Sequence, residues 1–226
     1  MSLFYRFPKI YDYITHKLFN YDQESLYIQQ IDNMLALEEL KENALILDLA
    51  CGSAELTLQL AKERPDCKVI GVDISEKMVA SASEKAQEQG LENVYFICKS
   101  ALELSPTDLQ ACCDMLGSES APFDLITCSY GFSAMPNNYE QIFRHTKKLL
   151  ASGGWYVITD VYYPKITWLT TFMTKIIDPL LWGANPLRKP FLLMQEELAD
   201  FAIYESPTTY YGFLPVVEYV AKGIKK

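Results

Sequence analysis

Two acidic residues and a short run of small residues have the types and spacing of a nucleoside-binding site. Asp48 lies in the apolar run "ALILDLA", and the turn that follows holds small residues at positions 50, 52 and 54. Asp73 ends the next apolar run, "KVIGVD", about twenty residues after Gly52. Small side chains let a ligand lie against the backbone, and an acid at that distance can accept hydrogen bonds from both ribose hydroxyls. The pattern predicts a loop that binds a nucleoside.

The charge beside this loop distinguishes between nucleoside cofactors. A dinucleotide places its pyrophosphate on glycines and a helix N-terminus, but Glu55 occupies the third glycine position and its carboxylate repels phosphate. The loop also lacks the Lys-Ser/Thr pair of an ATP- or GTP-binding P-loop. S-adenosylmethionine carries no phosphate and has a positive sulfonium group, so it avoids this conflict. The loop therefore favours S-adenosylmethionine; the alternative is that Asp48 and Asp73 only cap helices.

The composition excludes several classes of partner. The chain has 226 residues and a net charge of −9, so its surface repels nucleic-acid backbones and no nucleic-acid partner is expected. Its cysteines form no CxxC pair and it has two histidines, so we expect reduced thiols, no metal site and a cytoplasmic location. The N-terminus lacks the apolar region of a signal peptide, and charges and a proline interrupt the most apolar later segment, residues 166–182. A transmembrane helix is therefore not predicted.

The segments around these motifs alternate between strand and helix patterns. Apolar runs read as strands, and the stretches between them have helical periodicity, with Ser75 as a predicted N-cap and Gly90 as a helix end. Such alternation predicts a parallel sheet with helices on both faces, in which ligands bind at the carboxyl ends of the strands. We expect one domain with four consecutive parts: an N-terminal helical cap (1–43), a cofactor-binding core (44–164), an acceptor-pocket insertion (165–190), and a helix with a hairpin (191–226).

Four segments together resemble a known enzyme family. They are "ILDLACGSAEL", "VIGVDISEKMV", "FDLITCSYGFSAMPN" and "LLASGGWYVITDVYYP". Together they resemble a class I S-adenosylmethionine-dependent methyltransferase, and the last two most resemble the ubiquinone/menaquinone C-methyltransferase family. The resemblance covers about residues 44–164. It implies a Rossmann-like α/β fold with a seven-stranded, mostly parallel sheet, helices on both faces and a C-terminal antiparallel hairpin.

The resemblance also implies a set of cofactor contacts. In it, Asp73 would bind the ribose, Asp48 would support the loop and the methionine amine, and Tyr11 could cover the sulfonium. Ser100 stands where the family usually has an acid that reads the adenine, and Ala54 replaces a frequent glycine, so cofactor affinity is expected to be modest. The residues expected to bind the cofactor are Tyr11, Asp48, Ala50, Cys51, Gly52, Asp73, Ile74, Met78, Ser100, Ala101, Ser129 and Tyr130.

The catalytic groups and the acceptor are less well defined by the sequence. Asp160 is interpreted as ending the fifth strand, either as an acid on the substrate side or as a residue that structures a loop. Tyr11 and His16 are further catalytic candidates, although a histidine in a cap helix can simply face solvent. Aromatic residues from 166 to 182, which include Trp168 and Trp182, predict an apolar acceptor or a membrane-surface contact, or else they pack on the cap.

The predicted function is transfer of a methyl group from S-adenosylmethionine to a small, fairly apolar acceptor that is aromatic, quinone-like or a secondary metabolite. The alternatives are an N- or O-methyltransferase of an amine or phospholipid head group, a cofactor-binding scaffold without transfer activity, and an NAD-linked oxidoreductase. A peripheral membrane contact and the oligomeric state are left open.

Overall fold

The computed structural model describes residues 7–19, 37, 40–117, 122–135, 138–178, 184–206, 209–211 and 214–226. The strands in these ranges are β1 (Leu45–Leu49), β2 (Lys68–Asp73), β3 (Val94–Cys98), β4 (Phe123–Ser129), β5 (Leu150–Tyr162), β6 (Ala199–Glu205), β7 (Thr209–Tyr211) and β8 (Leu214–Ile224). The helices are α1 (Pro8–Phe19), α2 (Glu55–Glu63), α3 (Glu76–Glu88), α4 (Pro106–Met115), α5 (Tyr139–Leu149), α6 (Trp168–Phe172) and α7 (Phe191–Glu197). A 3₁₀ turn spans Ala101–Glu103 and a π-helical turn spans Met173–Ile177. None of the helices in the described part of the chain combines the length and the apolarity that crossing a bilayer requires.

The strands form one sheet in the order β3-β2-β1-β4-β5-β8-β6, and β7 pairs with β8 outside this path. β1 to β5 pair in parallel, whereas β8 runs antiparallel to β5 and β6. The predicted Rossmann-like sheet with a C-terminal antiparallel hairpin is confirmed. The additional strand β7 forms because the first residues of β8 extend past the end of β6 and pair with residues 209–211.

Burial on both faces explains why β1 is a continuous apolar run. Leu47 and Leu49 pack into the larger core cluster, which includes Phe143 and Tyr156, while Ile46 packs into the cluster on the other face. A strand in the centre of a parallel sheet is covered by helices on both sides, so each of its residues meets an apolar neighbour. β1 therefore fixes the position of the turn that follows it.

The order in which the chain adds strands to the sheet reverses between β1 and β4. The chain passes from β1 to β2 on one side of β1, and β4 lies on its other side, so the carboxyl ends of β1 and β4 border a crevice.

Ser75 caps α3 by accepting a hydrogen bond from the Met78 N–H at 3.4 Å, and Gly90 follows that helix with a φ of +64°. Both predictions for the ends of α3 are confirmed.

The predicted N-terminal cap is described only in part, since residues 1–6, 20–36, 38 and 39 lie outside the described residues. The described helix α1 contacts the core through Asp12. Its carboxylate lies 2.9 Å from the Lys85 Nζ of α3 and accepts a hydrogen bond from the Ser53 hydroxyl. Lys85 also donates to the Ser53 carbonyl at 3.1 Å. These contacts hold α1 against the loop after β1.

Candidate functional site

A cavity of about 190 Å³ lies at the carboxyl ends of β1, β2 and β4, where the sequence predicts the ligand. The predicted residues that line it are Tyr11, Ala50, Gly52, Asp73, Ile74, Ser100, Ala101, Ser129 and Tyr130. Four others lie elsewhere: Asp48, Cys51, Met78 and Asp160 do not line this cavity. The predicted His16 belongs to α1, but its side chain is outside the described part of the structure. Trp182 likewise lies outside the described residues.

Asp73 joins two of the loops that border the cavity. Its Oδ2 accepts a hydrogen bond from the Gly52 N–H at 2.9 Å, and its Oδ1 accepts one from the Ser75 N–H at 2.8 Å. Burial raises the pKa of this carboxyl group, and the backbone hydrogen bonds counteract that effect. Each carboxylate oxygen has a second lone pair, so Asp73 can still accept two hydrogen bonds from a ligand in the cavity.

The loop from Ala50 to Ala54 turns through three residues with left-handed backbone geometry. The φ angles are +53° at Ala50, +54° at Gly52 and +72° at Ala54. A side chain at Gly52 would meet no atom within 4 Å, so the space beside its backbone is open. A ligand can therefore lie directly against the peptide at Gly52. The two alanines adopt the same region at a cost of roughly 1–2 kcal/mol each.

Gly131 closes the other side of the crevice. A Cβ atom there would lie 2.8 Å from the Ala50 Cβ and 2.6 Å from the Cys128 Sγ. The loop after β4 therefore approaches the loop after β1 as closely as a backbone without a side chain allows. This contact fixes the separation of the two loops that border the cavity.

Asp48 supports the site from inside the core. Its side chain is 1% exposed; Oδ2 accepts from the Thr57 hydroxyl at 2.5 Å and Oδ1 from the Thr127 hydroxyl at 2.9 Å. Burial raises the pKa of Asp48 to about 6, and the two threonine hydrogen bonds act against that rise. Asp48 thus links β1 to α2 and β4. Its contact with a ligand stays a prediction.

Cys51 and Met78 stabilise the backbone around the cavity without lining it. The Cys51 N–H donates to the Val72 carbonyl at 3.0 Å, which ties the start of the loop to β2. Burial raises the pKa of the Cys51 thiol well above its usual value, so the group is a neutral thiol near pH 7. Met78 is buried beneath the first turn of α3. The cavity next to α3 is instead bordered by the exposed side chain of Ile74.

Asp160 lies within β5 rather than at its end, because that strand continues to Tyr162. Its side chain is 1% exposed, and its Oδ2 accepts a hydrogen bond from the Ser133 N–H at 2.8 Å. Its Oδ1 accepts from the Val161 N–H at 2.8 Å. Burial raises the pKa of Asp160 to about 6. The structure therefore places Asp160 where it holds the loop after β4, and a direct role in catalysis stays a prediction.

The raised pKa values of Asp48 and Asp160 predict that the protein becomes less stable as the pH rises from about 4.5 to about 7.5. A carboxyl group with a higher pKa in the folded protein than in the unfolded chain binds its proton more tightly when folded, so deprotonation favours unfolding. We expect the free energy of unfolding to fall by roughly 1–3 kcal/mol for each group. Urea unfolding at the two pH values measures this change.

The variant Asp48→Asn provides the control for this pH dependence. Its side chain has nearly the same volume and stays neutral, so the fall in stability between the two pH values should shrink by about half. Asp108 has the opposite effect at low pH, because its hydrogen bonds to Lys99 and Ser105 lower its pKa to about 2. Its contribution to stability is lost as the pH falls below about 4, so the measurements start at about pH 4.5. Stability that rises with pH over this interval would contradict the assignment of buried, destabilising carboxylates.

Tyr11 brings α1 to the cavity. Burial, followed by the nearby Asp12 and Asp73 carboxylates, raises the pKa of Tyr11 to about 12, so its hydroxyl stays protonated at physiological pH. The phenol therefore presents a neutral ring and a hydroxyl to the cavity. An aromatic face is suited to a cation such as a sulfonium group.

Tyr130 places a hydroxyl group at the cavity, and the half-buried carboxylate of Glu218 lies behind it. Tyr130 follows β4 with a φ of +50°, and its N–H donates to the Thr159 carbonyl at 2.7 Å. Its hydroxyl donates to the Oε1 of Glu218 on β8. Burial raises the pKa of Glu218. The sequence analysis missed Glu218, although a lone carboxylate within the apolar run "PVVEYVA" was a usable signal.

Two further residues that the sequence analysis missed, Asn185 and Arg188, hold the loop after β4 in place. Arg188 donates from Nη1 to the carbonyls of Phe132, Ser133 and Met135, and the Asn185 N–H donates to the Ser133 carbonyl at 2.7 Å. The predicted insertion thus holds the loop from outside while Asp160 holds it from inside. No motif in the sequence indicated these contacts, since they join residues more than fifty positions apart.

The remaining residues around the cavity are mostly apolar. On the side of the loop after β4 and of α5, they are Gly131, Ala134, Met135, Asn138 and Ile142. Leu102 lines the cavity together with Ser100, and Lys99 lies at the edge, where its Nζ is 2.7 Å from the Asp108 Oδ2. Within the described residues, no group of three or more histidine, cysteine or acidic side chains is arranged to hold a metal ion.

The chain matches the family described as "Methyltransferase domain" over residues 40–189. Among curated proteins, it is 34% identical over 126 residues to a demethylmenaquinone methyltransferase of Thermus thermophilus. The aligned residues make up 56% of this chain and 50% of that protein. The chain spans about half the length of the first curated relatives that it matches. The family match confirms the resemblance found in the sequence.

Solved structures share the fold at low sequence identity. The YcgJ protein of Bacillus subtilis superimposes with a TM-score of 0.66 at 19% identity, covering 88% of this chain and 98% of that chain. The magnesium protoporphyrin IX methyltransferase of Synechocystis PCC 6803, solved with bound SAH, superimposes with a TM-score of 0.62 at 19% identity, covering 88% and 82%. Both likenesses concern the fold.

Proposed function

The chain belongs to the methyltransferase-domain family, and from this premise we propose that it transfers the methyl group of S-adenosylmethionine to a small, mostly apolar acceptor. The observation that carries the proposal is the position of Asp73. Its carboxylate faces the cavity while it holds Gly52 of one loop and Ser75 of the other. An acid fixed at this strand end is suited to the two hydroxyls of a ribose.

The residues around the cavity fit S-adenosylmethionine at each of its parts. Asp73 would bind the ribose, Ser100 and Leu102 would border the adenine, and the open backbone at Gly52 would lie beside the methionine part. Tyr11 and Tyr130 would lie near the sulfonium. The bound cofactor supplies an electrophilic methyl group on a positively charged sulfur. Glu55, at the start of α2, would repel the pyrophosphate of a dinucleotide.

The acceptor side of the cavity supports an apolar substrate. The loop after β4 and the first turn of α5 contribute Ala134, Met135 and Ile142, with Asn138 as a polar group among them. Ligand sites of this composition bind apolar molecules and fix their orientation with a few polar contacts. The demethylmenaquinone methyltransferases among the relatives are named for a quinone, which agrees with this class of acceptor.

Tyr130 and Glu218 form the pair that would remove a proton from the acceptor. An acceptor proton would move to the Tyr130 oxygen while the Tyr130 proton moves to Glu218 Oε1, along the hydrogen bond already present. The acceptor atom would take, in place of that proton, the methyl group that the bound cofactor would supply. A carboxylate behind a phenol can thereby act as a base without touching the substrate. An acceptor without an acidic proton needs only correct positioning.

Calorimetry with S-adenosylhomocysteine and with NAD tests the choice of cofactor. We expect S-adenosylhomocysteine to bind at least about 100-fold more tightly, because the loop lacks the glycine pattern that holds a pyrophosphate and Glu55 at the start of α2 adds a charge of the same sign. Tighter binding of NAD would favour an oxidoreductase and overturn the proposal. Incubation with S-adenosylmethionine and a panel of phenols, quinols, amines and phospholipid head groups then separates an enzyme from a scaffold by release of S-adenosylhomocysteine.

A further inference from the structure

The segment after β5 exposes large apolar side chains along one face. Trp168 is 81% exposed and Ile166 is 78% exposed, and Phe172 and Ile176 are also exposed. Trp168, Phe172 and Ile176 are spaced four residues apart, through α6 and the π-helical turn, so they share one side of the helix. We call residues 165–178 the docking segment.

The buried face of the docking segment combines apolar and polar side chains. Thr170, Thr174 and Asp178 repeat at the same four-residue spacing and are all buried. Within the described residues, the Thr174 hydroxyl has no hydrogen-bond partner.

A helix on the surface of a protein in water normally keeps large apolar residues toward the core and exposes polar residues. Leu169 and Met173 follow this rule by packing beside Tyr163 and Val216. Trp168, Phe172 and Ile176 depart from it, which indicates that the exposed face meets an apolar environment in the functional state.

The charge of the docking segment identifies that environment. Lys165 and Lys175 are exposed, whereas its acid, Asp178, is buried and accepts a hydrogen bond from the Tyr163 hydroxyl at 3.1 Å. The exposed charge of this segment is therefore positive on a chain whose net charge is −9. A cationic patch with an apolar centre complements a surface that is both anionic and apolar.

We propose that the docking segment binds the surface of a bilayer that contains anionic phospholipids. Trp168 and Phe172 insert at the level of the headgroups, where an indole ring places its apolar part among acyl chains and its N–H near water. Lys165 and Lys175 lie at the same level and contact anionic headgroups through their flexible side chains. The helix lies in the plane of the surface, as an amphipathic segment does when it is too short to span the membrane.

The docking segment is connected to the cavity. Tyr163, where β5 leads into the segment, donates its N–H to the Pro186 carbonyl at 3.0 Å, and Asn185 next to it contacts Ser133 in the loop after β4. Membrane binding would therefore bring this loop near the bilayer, where an apolar acceptor dissolves. The idea that an acceptor reaches the cavity from the bilayer rests on the proposed function, whereas the proposal of membrane binding does not.

Flotation with lipid vesicles tests the binding itself. The full chain is mixed with vesicles of phosphatidylcholine alone, or of equal parts phosphatidylcholine and phosphatidylglycerol. We expect strong binding to the anionic vesicles, a loss of about 30-fold or more in the double variant Trp168→Ala/Phe172→Ala, and a loss of about fivefold for each of Lys165→Gln and Lys175→Gln. The lysine effects should disappear in high salt and on neutral vesicles.

The variant Met115→Ala is the matched control, because Met115 is 69% exposed on α4 outside the docking segment and its removal should leave vesicle binding unchanged. All variants should retain the affinity of the wild type for S-adenosylhomocysteine, which separates failure of this proposal from failure of the proposed function. Equal vesicle binding by the double variant, or no binding by the wild type, overturns the proposal. A dimer that the double variant breaks assigns the face to a second copy of the chain and also overturns it.

Discussion

Replacing Asp73 by alanine is expected to weaken the binding of S-adenosylhomocysteine by about 100-fold or more. The substitution removes a carboxylate that can accept hydrogen bonds from both ribose hydroxyls, each worth roughly 1.5–3 kcal/mol when the acceptor is charged. It also frees the N–H groups of Gly52 and Ser75, which the two carboxylate oxygens now hold at 2.9 and 2.8 Å. Titration calorimetry on wild type and variant measures the change directly.

Two further variants separate ribose binding from loop structure. Asp73→Asn keeps the volume but presents an NH₂ group to one of the two backbone N–H donors, so its affinity should lie between those of wild type and Asp73→Ala. Asp114→Ala removes an exposed carboxylate of α4, which accepts a hydrogen bond from the Gln110 side chain, and should leave affinity unchanged. Unchanged affinity in Asp73→Ala, with a folded protein by circular dichroism, would remove Asp73 from the ribose site.

Replacing Tyr130 by phenylalanine is expected to lower kcat by about 100-fold for acceptors that must lose a proton. The variant keeps the aromatic ring at the cavity but breaks the path from the acceptor to Glu218. Acceptors that attack as free amines at about pH 8 should lose less than about threefold, since they need no base for the attack. The affinity for S-adenosylhomocysteine should stay near that of the wild type, because the ring is retained.

The variants Glu218→Gln and Asp160→Asn show which of the two carboxylates is the general base. Glu218→Gln should reproduce the loss seen with Tyr130→Phe and should remove the acidic limb of the pH–rate profile, which reflects the raised pKa of Glu218. Asp160→Asn should act on stability and on the loop after β4, with similar losses for phenolic and amine acceptors. A selective loss for phenols in Asp160→Asn, with full activity in Tyr130→Phe, would instead make Asp160 the base.

Local patterns in the sequence were sufficient for the elements and for most of the predicted residues that line the cavity. A run such as "ALILDLA" is apolar because β1 meets a helix on each face, and Ser75 and Gly90 mark the ends of α3 by rules that involve only a few neighbouring residues. Asp73 was predictable for the same reason. It stands at the end of β2, and its distance along the chain from the small residues of the loop after β1 can be read directly from the sequence.

The acceptor side was less predictable because it depends on contacts between distant residues. Tyr130 and Glu218 are 88 positions apart, and their hydrogen bond follows from the antiparallel pairing of β8 with β5. The position of Asp160 depended on where β5 ends. The strand continues to Tyr162, so the carboxylate faces Ser133 inside the protein instead of emerging at the strand end.

The alanines in the loop after β1 have a consequence for the thermodynamics of ligand binding. A glycine at position 50 or 54 would adopt the left-handed geometry without strain, but it would also let the free loop sample many more conformations. Alanine restricts that sampling before any ligand arrives. An incoming ligand therefore meets a rigid receptor, and a smaller part of its binding enthalpy is offset by lost entropy of the chain.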